Sequence, residues 1–259
     1  MDVDSKAEMS FWDHLDALRG VLLRSAGLVL VLALLLFVLK DWFFDIVVLA
    51  PTQPTFPVYR LFGMTPEVSL INYDLTAQFM VHLETSLLGA IVLGAPYVCY
   101  ELWKFIAPAL YENERRYSVS VAIAIFFLFV LGVLMSYYVL FPFALRFLGT
   151  YQVAADVVNQ INLSSYISTF VTLTLMMGLV FQLPVLSFFL AKMGVLEASF
   201  MRQYRRHAFV LIGVIAAVIT PPDLFTCFMV MIPMYGLYEL SILIVEKAGR
   251  DTRERTASA

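Results

Sequence analysis

The chain has 259 residues, 61% of them hydrophobic, 15% aromatic and only 14% charged, with a formal net charge of −3; its mean hydropathy is +0.84. Too little polar surface is present to cover a soluble domain of this size, so the composition excludes one and specifies an integral membrane protein. The apolar runs are continuous, whereas barrel strands would alternate polar and apolar residues, so an all-α protein is expected rather than a transmembrane barrel.

Residues 1–19 read as a cytoplasmic amphipathic helix, with Phe11, Leu15 and Leu18 at helical spacing and Asp13, His14 and Arg19 elsewhere. This segment is too polar for a signal peptide, and the apolar run after it has neither a short h-region nor a small-residue cleavage site, so the first span is expected to stay attached. Six transmembrane helices are predicted: Gly20–Leu39, Phe79–Tyr100, Val119–Phe141, Tyr166–Ala191, Ala208–Thr220 and Leu224–Val245. Each of the first four is near the ~20 residues that a helix needs to cross ~30 Å of hydrocarbon.

The outer loop 41–75 contains Pro51, Pro54, Pro57 and Pro66, so it cannot form one regular helix. It is also too aromatic for a solvated linker, with Trp42, Phe43, Phe44, Phe56, Tyr59 and Phe62, and reads as a folded cap at the membrane surface. The second outer loop, 142–165, is weakly helical and carries no clear signal. The last two spans are expected to be short, above all Ala208–Thr220, whose ~20 Å of helix falls below the hydrocarbon thickness. Pro233 predicts a kink or local unwinding in span six. Residues 20–245 thus form the transmembrane domain, and 246–259 a polar, mobile cytoplasmic tail.

Of the 17 Lys and Arg residues, 14 fall on the side that carries both termini, among them Arg19, Arg24, Lys104 and Arg205; only Lys40, Arg60 and Arg146 fall on the other. That asymmetry predicts cytoplasmic N and C termini. Cys99 and Cys227 are then about a bilayer thickness apart, beyond disulfide reach.

Enzyme signatures are absent: there is no G-x-S-x-G, H-E-x-x-H or P-loop, and His14, His82 and His207 are far apart in sequence. Neither a metal, a cofactor nor nucleic acid is expected. Polar groups inside spans are costly and so are candidates for function. Gln182, beside Pro184, could bond the backbone carbonyl that proline frees, or meet a polar group on a partner helix. Asp223 suits the N-cap of span six. Glu239 lies about two turns from the cytoplasmic end of that span, deep enough to need a partner, while Glu84 is near enough to the outer end of span two to reach headgroups.

The stretch FIAPALYENERR (105–116) places Glu112 and Glu114 among Arg115 and Arg116 between two apolar runs. Such charge runs usually do no more than solvate a loop, and exposed pairs contribute only about 0–1 kcal/mol. The neighbouring APAL and the aromatics Trp103, Phe105 and Tyr111 argue instead for a structured loop that fixes a carboxylate beside lipid, where it would attract a basic peptide.

HLDALR (14–19), GAPYVCYELWKFIAPALYENERR (94–116), FQLPV (181–185) and ITPPDLFTCFMVMIPMYGLYELSI (219–242) carry a resemblance to the TatC family, the signal-peptide receptor of the twin-arginine protein translocase. The resemblance implies a six-span protein of the cytoplasmic (inner) membrane that is not an enzyme. It also implies binding of twin-arginine signal peptides and an oligomeric complex with small single-span subunits like TatA and TatB, exporting folded proteins on the proton-motive force. The arginine-recognising carboxylate of the family corresponds to Glu114, and Phe105, Arg115 and Arg116 match positions that build the same surface, with Arg19 in the N-terminal motif.

Three positions depart from the family pattern. The Glu usual before Leu-Arg is Ala17; Asp13, one turn earlier, is the preferred substitute, and Asp16 points about 100° away. The acidic position of span four is Gln182, and a position commonly Gln in span six is Cys227. A competing reading, a secondary transporter of a small solute, would require Gln182, Glu239 and Glu84 to line one path.

Overall fold

The computed structural model describes residues 11–64, 68–106, 118–154, 156 and 159–257. The first helix, α1 (Phe11–Val38), passes without a break from the amphipathic N-terminal segment into the first apolar run. A short α2 (Lys40–Phe43), a π-turn at Phe44–Val48, a 3-10 turn at Ala50–Thr52 and α3 (Pro57–Phe62) follow. The long helix α4 (Ala77–Ile106) packs extensively on α1. Next come α5 (Ser118–Met135), α6 (Phe141–Thr150), α7 (Leu163–Val180), α8 (Leu183–Lys192), α9 (Ala198–Gln203), α10 (Arg205–Ile219) and α11 (Leu224–Ala257).

Among the described residues, five helical stretches are long and apolar enough to cross a membrane: 15–38, 77–102, 121–150, 163–192 and 224–249. The protein is therefore an all-α multi-pass membrane protein, and α10 adds a sixth apolar helix of 15 residues. Of the two spans expected to be short, only α10 is. The other, α11, runs for 34 residues: Leu224–Gly249 is itself long and apolar enough to cross, and the polar segment after it continues the helix to Ala257. The second outer loop also has more structure than its sequence suggests. It contains α6 and the strand β2 (Ile161–Asn162), which pairs in parallel with β1 (Leu70–Ile71) and joins the two outer loops.

Prolines act here by position rather than by presence. Helix α11 continues through Pro233, and α4 through Pro96, so the predicted unwinding at Pro233 does not occur. The fourth apolar run instead breaks at Phe181–Gln182, leaving Pro184 in the first turn of α8, where its missing N–H costs nothing. The third passes through a π-turn, Ser136–Leu140, just before Pro142 in the first turn of α6.

The core lies between α4, α5, α7 and α11, around Leu88, Leu140, Ile167, Leu173, Met177 and Met234. Among the described glycines, the closest approach to another helix's backbone is between α5 and α7. A Cβ on Gly132 would stand 2.5 Å from the carbonyl oxygen of Met177, while one on Gly178 would meet the Phe129 ring at 2.7 Å. Small residues at such crossings let two backbones approach in lipid, where no hydrophobic drive brings helices together.

The cap is held by tyrosines. The hydroxyls of Tyr137, Tyr166 and Tyr59 donate to the carbonyls of Val47, Val48 and Pro51 at 2.8, 2.6 and 2.8 Å. The ring of Phe56 packs among Tyr59, Tyr137 and Tyr138. Burial raises the Tyr59 hydroxyl well above the usual phenol value.

Candidate functional site

At the end of the bundle where α1 begins and α4 ends, Arg24 reaches Glu101. Its Nε and Nη2 atoms both donate to Oε2, at 3.0 and 2.6 Å. The Glu101 side chain is only 6% exposed, whereas that of Arg24 is 52% exposed. A carboxylate this deep needs a charged partner, so the pair fixes α1 against α4 one turn before Phe105. Phe105 is partly buried on the last turn of α4, and Asp16 and Arg19 are exposed on the first turns of α1.

Asp13 also lies on α1, one turn before Ala17, with its side chain outside the described part of the structure. Glu114, Arg115 and Arg116 fall outside the described residues. Of the predicted recognition residues, Phe105, Asp16 and Arg19 therefore come to the same end of the α1–α4 pair. Neither Arg24 nor Glu101 had been singled out by sequence. The available signal was a charge of each sign near the matching ends of two apolar runs, Arg24 inside Gly20–Leu39 and Glu101 one residue beyond Phe79–Tyr100.

The same end carries a second set of ion pairs. Arg205 Nη2 donates to Glu239 Oε2 at 2.6 Å, and Tyr235 donates to Glu239 Oε1 at 3.1 Å. This bond, together with the Glu239 charge, raises the Arg205 guanidinium above its ordinary value. Arg202 pairs with Glu246, and the Tyr238 hydroxyl donates to the Met201 carbonyl at 2.7 Å, so α9 and the start of α10 are fastened along α11. Glu239 has the partner that its depth demands.

Gln182 occupies the break between α7 and α8. Its Nε2 donates to the Ile125 carbonyl on α5 at 3.1 Å and stands 3.5 Å from that of Gly178. It thus bonds across to another helix as well as along its own, and its Oε1 is buried without a hydrogen-bond partner among the described residues. Asp223 Oδ1 accepts from the Thr226 amide at 2.6 Å, capping α11, while its Oδ2 is buried and unpaired among those residues. Cys99 and Cys227 are both free thiols. Glu84 lies in the N-terminal part of α4, and Glu239 about midway along α11 in its own ion pair. Glu84 lines a groove between α1 and α4, Gln182 bonds to Ile125 and Glu239 to Arg205, so among the described residues the three have separate surroundings, which does not favour a solute transporter.

Residues 13–233 match the family described as TatC, Sec-independent protein translocase protein. A TatC of Blattabacterium is 34% identical over 256 residues, covering 93% of this chain and 96% of that protein. TatCy of Bacillus subtilis is 33% identical, covering 97% and 94%. A crystal structure of the twin-arginine translocase receptor TatC superposes with a TM-score of 0.76 at 30% identity, covering 91% of this chain and 99% of that one. Sequence and fold agree over almost the whole length, and the chain belongs to the TatC family of protein translocase components.

Proposed function

We propose that this chain is the receptor and core subunit of a twin-arginine translocase, binding signal peptides at the end of the bundle where α1 begins and α4 ends. The observation that carries this reading is the near-complete agreement in fold with a protein described as the twin-arginine translocase receptor. In the proposal that end faces the cytoplasm of a bacterial inner membrane, as the 14 to 3 distribution of Lys and Arg favours.

Glu114 is the carboxylate that takes the paired arginines. A guanidinium forms forked, charge-assisted bonds to a carboxylate that an ammonium cannot reproduce, so a fixed Glu selects arginine over lysine as well as attracting positive charge. Phe105, Arg19, Arg115 and Arg116 complete the surface. Asp13 supplies the second carboxylate in place of the residue that is Ala17 here; the one-turn spacing of Asp13 and Ala17 along a helix supports it over Asp16, which is about 100° away. The Arg24–Glu101 pair serves as a positioning contact that fixes the root of the 107–117 segment.

Small single-span subunits of the TatA and TatB kind assemble with the chain, and export draws on the proton-motive force without a nucleotide site here. Gln182, Asp223 and Glu239 are the polar positions that such helices could meet. The face of α10 supports this, since Val210, Leu211, Val214 and Val218 are all exposed on it. A photoreactive residue placed in turn at Phe105, Arg19 and Glu114 tests the assignment. A bound twin-arginine peptide is expected to crosslink at all three, and crosslinking confined to the outer cap would refute it.

A further inference from the structure

Beyond the receptor end, the outer half of the α1–α4 pair contains a groove of about 460 Å³ lined by Leu30, Ala33, Leu34, Phe37, Glu84 and Ser86, among others. Glu84 is exposed and makes no hydrogen bond or ion pair among the described residues. Ser86 lines the same groove at 2% exposure, and its Oγ has no partner among those residues. An unpaired hydroxyl this deep in a helix pair costs free energy unless something bonds to it.

The level of these groups within the bilayer follows from the ion pair at the opposite end. Glu84 is ~25 Å along α4 from Glu101, and Val38, the last residue of α1, is ~21 Å along that helix from Arg24. Since Arg24 and Glu101 touch and α1 runs along α4, Glu84 stands near the level at which α1 ends and Lys40 begins α2. Glu84 and Lys40 mark the outer polar boundary of an apolar layer that is ~25 Å thick here, somewhat below the ~30 Å of an average bilayer. Side chains on a helix tilt toward its N-terminus, which for α4 is the outer end, so the Glu84 carboxylate leans toward the headgroups.

Polarity along the groove therefore runs in a fixed order from outside inward: a carboxylate, then an unpaired hydroxyl, then the hydrocarbon of Leu34, Ala33 and Leu30. A phospholipid has the matching order of ammonium, ester and acyl chain. A second groove of about 410 Å³, which includes Lys40 and His82, adjoins the first. The rings of His82 and Phe37 stack at 3.8 Å between the two, and the second groove carries Asp41 and Asp45 beside its one lysine, so an ammonium rather than a further anion suits this end of the pair.

We infer that this groove is a binding site for an outer-leaflet phospholipid bearing a primary ammonium headgroup. Glu84 accepts from the ammonium, Ser86 donates to an ester carbonyl, and one acyl chain lies against Leu30, Ala33 and Leu34. The chemistry favours phosphatidylethanolamine over phosphatidylcholine, whose quaternary nitrogen has no N–H to donate, and over phosphatidylglycerol, which has no cation.

Native mass spectrometry of the purified full chain in detergent, with equal amounts of these three lipids, tests the site. The wild type is expected to retain phosphatidylethanolamine preferentially. Glu84→Gln, isosteric and at an exposed position, should weaken that retention about tenfold while leaving phosphatidylcholine unchanged. Leu34→Trp, which fills the groove, should weaken retention of both. Equal retention of the three lipids by the wild type, or undiminished phosphatidylethanolamine binding by Glu84→Gln, would overturn the inference. So would a photoreactive residue at Leu34 that joins a protein subunit rather than lipid in native membranes.

Discussion

The outer cap is anchored by three hydroxyl groups, and their removal gives a prediction with a definite size. Residues 44–52 form a π-turn followed by a 3-10 turn, and tyrosine hydroxyls from α3, the Ser136–Leu140 turn and α7 donate to the carbonyls of Pro51, Val47 and Val48. Tyr59 and Tyr166 are 1% and 2% exposed, so water cannot take over their bonds in the folded state. Replacing each tyrosine by phenylalanine keeps the ring packing and leaves a buried carbonyl unpaired, at a cost of about 1–3 kcal/mol per site. The sites share neighbours around Phe56 and Phe170, so the three losses will not simply add. The triple variant is nevertheless expected to lose several kcal/mol, a large fraction of the ~5–15 kcal/mol that holds a typical domain together. Hydrogen exchange at amides 44–52 provides the assay, with thermal unfolding in detergent as a second measure. Protection across the segment should fall stepwise from single to triple variant while α7 and α11 stay protected. Unchanged exchange in the triple variant would refute the reasoning and assign the cap's order to ring packing alone.

Other outcomes follow from the same geometry. Gly132→Ala should destabilise by about 1–3 kcal/mol or more and cost more than Gly178→Ala, because the first must displace a backbone carbonyl and the second only the Phe129 ring; thermal unfolding ranks them. Asp223→Ala should remove about 1 kcal/mol through loss of the α11 cap, with Asp223→Asn nearly neutral in the same measurement. Gln182→Met, close in volume, should cost about 0.6–1 kcal/mol for the lost bond to Ile125, and a larger loss would point to a further partner on Gln182. Tyr59 is buried with its hydroxyl raised above the ordinary value, so the unfolded chain loses that proton first. Its contribution is complete below about pH 10 and declines as pH rises toward the folded value; Tyr59→Phe should flatten that alkaline decline in a pH series of unfolding midpoints.

Run length made the bundle legible because it is a local property. Twenty continuous apolar residues in lipid leave the backbone no alternative to a helix. The path of a proline-containing helix was less so: Pro233 and Pro184 look alike in sequence, but only the second lies beside a break that puts it in a first turn. The strand pair between Leu70 and Ile161 and the hydroxyl bond from Tyr166 to Val48 join positions about 90 and 118 residues apart, and no periodicity within either segment announces such a contact. The same holds for Arg24 and Glu101, which read as one more cytoplasmic charge and one letter of a family motif until the register of α1 on α4 brings them to 2.6 Å. Asp223 was different, since its capping role needs only the three residues that follow it.

The central claim is that one carboxylate selects the guanidinium pair of an incoming signal peptide, and it is tested by four binding measurements on the full chain reconstituted in lipid. Peptides carrying Arg-Arg and Lys-Lys are titrated against the wild type and Glu114→Gln. The account predicts that the wild type prefers Arg-Arg by tenfold or more, as expected for a forked charge-assisted bond, and that Glu114→Gln binds both peptides weakly and nearly alike. An undiminished preference for Arg-Arg in Glu114→Gln would contradict it.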